Sequence, residues 1–86
     1  MQVRVVVFGR NYHWADSLPQ QLALPEGGSV EDAIQALEPF LPDGERWPDS
    51  CLVSVSGTHL GTLRAHTPRI LQNGDELLLL MPVAGG

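Results

Sequence analysis

An 86-residue chain suits one domain with a single modest core, so any elaborate active site has to be borrowed from a partner. Hydrophobic residues at 43% against 17% charged exclude disorder and predict a chain that folds on its own. Ten acidic side chains against five arginines give a net charge of −5, which repels phosphate backbones and makes a basic protein groove a better partner than nucleic acid.

The first predicted element, Gln2 to Phe8 (QVRVVVF), is a strand rich in β-branched valine and closed by Gly9. At a period of two, Val3, Val5 and Val7 share one face, and Arg4, Val6 and Phe8 share the other. Both faces are largely apolar, as in an interior strand. Arg10 to Gln20 has no period and reads as a loop with a turn of helix around Trp14 to Ser17. Gln21 to Leu24 is expected to form a short second strand pairing back on the first, ended by Pro25 and the glycines that follow. Ser29 then opens a helix as its N-cap, with Asp32 three residues on and Glu31 at the positive end of the dipole. Val30, Ala33, Ile34 and Leu37, continued by Leu41, make one core-facing stripe, and Pro39 stops the helix near Glu38.

Pro42 to Ser50 has the composition of an irregular crossing loop. Cys51 to Ser56 (CLVSVS) is strand-like, with Cys51, Val53 and Val55 opposite Leu52, Ser54 and Ser56. Gly57-Thr58 reads as a tight turn into a short His59-Leu60 strand, and Asn73-Gly74 as a turn before the last strand, Asp75 to Met81. A helix crossing between strands implies that the first and last strands lie parallel and adjacent, under one helix. The expected fold class is therefore α+β: a β-grasp, or ubiquitin-like, domain over residues 1–81, with a mixed sheet of four to five strands and one main helix on one face. Residues 82–86 are expected to form a flexible C-terminal tail.

Most catalytic chemistry fails on inventory. His13, His59 and His66 share no metal-ligand spacing with Cys51, so no metal site is expected, and one cysteine cannot hold an iron–sulfur cluster. Cys51 reads as a small buried apolar residue rather than a nucleophile. No glycine-rich phosphate loop ends in lysine, and Asp43, Asp49, Asp75 and Glu76 have nothing that gathers them into a pocket. The chain is not expected to be an enzyme. With no leader sequence, no apolar run long enough to span a bilayer and no possible internal disulfide, a soluble cytoplasmic setting is expected. Lysine is absent altogether. That absence would keep a carrier from acylating its own amines, and a genome preferring arginine accounts for it equally well.

What remains is the end of the chain, MPVAGG. Its side chains shrink toward two glycines, and from Pro82 it reaches on the order of 15 Å at ~3.3 Å per residue, enough to enter a partner's active site. The Gly86 carboxylate, ionised at neutral pH, becomes an electrophile once adenylation converts an oxygen into a leaving group, and sulfur can then replace it. A frayed terminus is the competing reading. The last strand adds a second signal: Leu77, Leu79 and Met81 can face the helix while Leu78 and Leu80 point the other way, without the polar alternation of a half-solvated strand. With Val6, Phe8 and Leu60 they are expected to make an apolar dock on the uncovered sheet face, unless the Trp47 to Ser50 loop covers it.

The segments VRVVVFGR, SVEDAIQAL and NGDELLLLMPVAGG together resemble the bacterial ubiquitin-like sulfur-carrier family, and within it the small subunits of molybdopterin synthases. The resemblance implies that Gly86 is adenylated by a ubiquitin-activating-type enzyme, which consumes the ATP while this chain binds no cofactor. By the same resemblance, Gly86 would then carry a thiocarboxylate into the large subunit of molybdopterin synthase, where sulfur would pass to cyclic pyranopterin monophosphate for the molybdenum cofactor. It also implies that Pro82, Val83, Ala84 and Gly85 occupy the partner's channel and that Phe8 and Leu80 pack on partners. The chain departs from the family pattern at RNYHWADSLPQQ and in a longer Gly57 to Arg69 segment. Related carriers for cysteine, thiamine or tRNA thiolation share fold and tail, and a ubiquitin-like modifier joining Gly86 to a target lysine begins from the same acyl adenylate.

Overall fold

The computed structural model describes residues 1–9 and 17–81. Within them lie strand β1 (Gln2–Gly9), strand β2 (Gln21–Ala23), helix α1 (Val30–Leu37), and strands β3 (Leu52–Val55), β4 (Thr58–Thr62) and β5 (Glu76–Met81). The strands form one mixed sheet in the order β2-β1-β5-β3-β4. β1 and β5 run parallel at its centre and every other pairing is antiparallel. This is the β-grasp arrangement expected from the element order.

The valines of β1 alternate as predicted: Val3, Val5 and Val7 are buried with Leu77, Leu79 and Met81 of β5 and Val53 and Val55 of β3. Helix α1 lays Val30, Ala33 and Leu37 into this core, with Ile34 and Leu41 packed at its margin. Ser29 caps the helix as its sequence predicts. Its Oγ accepts from the Asp32 amide at 3.2 Å, and its own amide donates to the Asp32 carboxylate at 2.9 Å. Pro39 does not end the coil abruptly: Glu38–Phe40 tightens into a 3₁₀ turn, closed by the Leu41 amide on the Glu38 carbonyl at 3.1 Å.

Two local expectations are corrected. The hairpin turn is Ser56-Gly57, with φ of 46° and 87°, and β4 is five residues long rather than two. A positive φ at both turn residues matches the twist of the flanking strands, so a serine tolerates the left-handed region there. The register of β3 and β4 also shifts between Val53 and Ser54, where Val53 pairs with Gly61 and Ser54 with His59. Leu60 falls inside this bulge and packs against the core cluster rather than joining the open face.

Candidate functional site

The open face follows from the register. Phe8 of β1 pairs with Leu80 of β5, which pairs with Leu52 of β3, so these three side chains stand in one row. Val6, Leu78 and Ser54 form the next row in the same way. No helix covers them among the described residues, and Phe8 and Leu80 remain 55% and 37% exposed. Trp47 of the crossing loop packs against the core cluster. At the far margin Arg4 and Glu76 approach to 3.6 Å, an exposed pair worth little to stability.

The Phe8–Leu80–Leu52 row lies beside the point where β5 ends at Met81, the partner of Gly9. Gly9 has a φ of 99°, and a Cβ built on it would overlap the Met81 carbonyl. The two backbones therefore meet face to face where the chain leaves the sheet, a contact only glycine permits. Phe8, Leu78 and Leu80 lie where the sequence places them. Pro82, Val83, Ala84, Gly85 and Gly86 lie outside the described residues, as do His13 and most of the 10–20 segment. Leu52 and Gly9 are additions. Leu52 was detectable as the out-of-phase neighbour of Cys51 and Val53, whereas the tight fit at Gly9 has no local signal.

The remaining reactive groups serve the fold. Cys51 is fully buried, and burial pushes its thiol up to about 12. His66 sits with Nδ1 at 3.2 Å from the carbonyls of Thr62 and Leu63. Asp49 pairs with Arg64 at 3.2 Å on the surface. Among the described residues no three His, Cys, Asp or Glu side chains gather as a metal site would need, and no helix is long and apolar enough to cross a membrane.

Asp75 locks the turn into β5. Its carboxylate accepts from the Gln72 amide and from the Ser56 hydroxyl, each at 2.8 Å. The Gln72 bond, with help from Ser56 and the charge of Arg69, holds its pKa below the ordinary carboxylate value against the opposing effect of burial. A lowered folded-state pKa contributes stability that is present above the unfolded value of ~4 and lost as pH falls through the folded one. Asp75→Asn is therefore expected to cost roughly 0.5–1 kcal/mol at neutral pH. The gap to the parent should close as pH drops below ~4, as read by denaturant titrations across that range.

The family model described as ThiS family matches residues 5–86. No curated protein and no solved structure matches the chain significantly.

Proposed function

Because the chain belongs to the ThiS family, whose members are small non-catalytic sulfur carriers with a ubiquitin-like fold, we infer that its working group is the carboxylate of Gly86. Carriers of this family work with adenylating enzymes and sulfur-transfer partners. One carboxylate oxygen attacks the α-phosphorus of ATP in the activating partner, pyrophosphate leaves, and the acyl adenylate forms. Sulfide-level sulfur from a donor then bonds to the carbonyl carbon, the carbon–oxygen bond to AMP breaks and a proton is released, leaving a thiocarboxylate. Pro82, Val83, Ala84 and Gly85 thread a partner channel, while Phe8, Leu78 and Leu80, joined by Leu52, hold the partner against the sheet.

Within the family we assign the chain to molybdopterin synthesis, with the large synthase subunit as the acceptor partner. The support is the joint resemblance of VRVVVFGR, SVEDAIQAL and NGDELLLLMPVAGG to the small subunits of molybdopterin synthases. The observation carrying the carrier reading is the family match, which extends through Gly86. Incubation with a cognate activating enzyme, ATP and a sulfur donor is expected to raise the intact mass by one sulfur less one oxygen, localised to Gly86. An unchanged mass with an enzyme shown to be competent would sink the reading. Sulfur transfer to cyclic pyranopterin monophosphate upon adding a large synthase subunit tests the pathway.

A further inference from the structure

A carrier with an activated carboxylate has a chemical problem of its own. An acyl adenylate reacts with any accessible amine: the nitrogen lone pair bonds to the carbonyl carbon, the carbon–oxygen bond to AMP breaks, and the nitrogen releases a proton to solvent. Two carriers are then joined by an amide and the sulfur site is lost. A thiol intercepts the adenylate in the same way to give a thioester. Acyl groups on imidazole or hydroxyl are by comparison short-lived or slow to form.

The sequence contains no lysine, which leaves the α-amino group of Met1 and the thiol of Cys51 as its strong nucleophiles. The structure hinders the first and buries the second. The Met1 ammonium donates to the Leu24 carbonyl at 2.8 Å where the first residue meets the end of β2, so that bond must break and a proton must leave before the nitrogen can attack. The Met1 side chain packs on the core, which holds the amine in place. Cys51 is fully buried beneath the sheet, and its Sγ points at the Leu52 carbonyl, 3.7 Å away. Burial disfavours the thiolate, the form that attacks.

We propose that the fold is closed to its own activated tail: the absence of lysine, the tethered α-amine and the buried thiol together prevent self-acylation, so carriers do not join to one another in chains. This rests on the carrier reading above, and it predicts that any amide formed by Gly86 is made once, on another protein's amine. The basic side chains Arg4 and Arg64 are exposed, and guanidinium is always protonated and non-nucleophilic.

Two measurements test it. The first needs no activating enzyme: the folded chain is treated at neutral pH with N-ethylmaleimide and an acetyl N-hydroxysuccinimide ester and followed by intact mass. Cys51 is expected to stay unlabelled until denaturant is added. Met1 should acetylate about tenfold more slowly folded than unfolded, the factor one ordinary hydrogen bond carries. Labelling of either group at the unfolded rate would overturn the proposal. In the second, activating enzyme and ATP are supplied without a sulfur donor, and products are separated on a denaturing gel. The parent chain should stay monomeric, whereas Arg64→Lys, which places an amine on an exposed side chain paired with Asp49, should give amide-linked dimers. Dimers of the parent, or an Arg64→Lys chain as silent as the parent, would refute the idea. Failure to release pyrophosphate from ATP in either chain refutes the carrier reading instead, and leaves the labelling result standing.

Discussion

Phe8→Ala and Leu80→Ala are each expected to weaken docking on the activating partner by roughly 30-fold to several hundred-fold, the 2–4 kcal/mol of a buried interface anchor. Neither should unfold the domain. Both side chains are substantially solvent-exposed in the free protein, so their removal should change stability by about 0.5 kcal/mol and the melting midpoint by no more than about 4 °C. Leu79→Ala, one residue away and fully buried on the opposite face, is the control with the reverse signature. It should lose about 2–5 kcal/mol of stability and keep its partner affinity wherever it remains folded. Calorimetry of binding alongside thermal melts separates the two. Equal affinities for the parent and Phe8→Ala would remove the open face from the docking surface.

The second large effect is expected at Gly9. Gly9→Ala meets two penalties: a left-handed φ that costs a side-chain-bearing residue about 1–2 kcal/mol, and the overlap of its Cβ with the Met81 carbonyl. Gly57→Ala has a similar φ of 87° but open space around the new methyl, and so meets only the first. The difference between the two variants isolates the contact at the end of β5. Gly9→Ala should lose about 3–4 kcal/mol in total, on the order of 12–32 °C in melting midpoint, and Gly57→Ala less than half of that. Relief of the overlap requires the Gly9–Met81 rung to open, which re-aims the chain beyond Met81. Gly9→Ala should therefore also load sulfur more slowly than its remaining folded fraction predicts, and Gly57→Ala should not. Matching losses in the two variants would show that the close approach carries no energy.

Those two positions also mark where the sequence stopped being legible. β1, the Ser29 cap and β5 were readable because each obeys one short-range rule: alternation, a side chain reaching three residues ahead, or an apolar run after an Asn-Gly turn. The parallel β1–β5 pair followed from the intervening helix. Leu60 was misplaced because it sits at a bulge, and the bulge depends on pairing with Val53 and Ser54. The four- to five-strand sheet resolved to five because β4 runs through Gly61 to Thr62, residues whose strand character comes from β3 alongside. The need for glycine at Gly9 depends on the Met81 carbonyl, 72 positions away by the numbering and adjacent only after folding. Leu52 belonged to the open face by its own alternation, but only the pairing with Leu80 joins it to Phe8.

The central place of β5 bears on force. The strand leading into the tail is not at an edge: six residues pair with β1 on one side and four with β3 on the other. A pull along its axis would load both ladders in shear, so many bonds would have to stretch together. An edge strand peeled sideways would break its bonds in sequence. On the proposed carrier reading, the domain would withstand being drawn off a partner by its end without unravelling from that end.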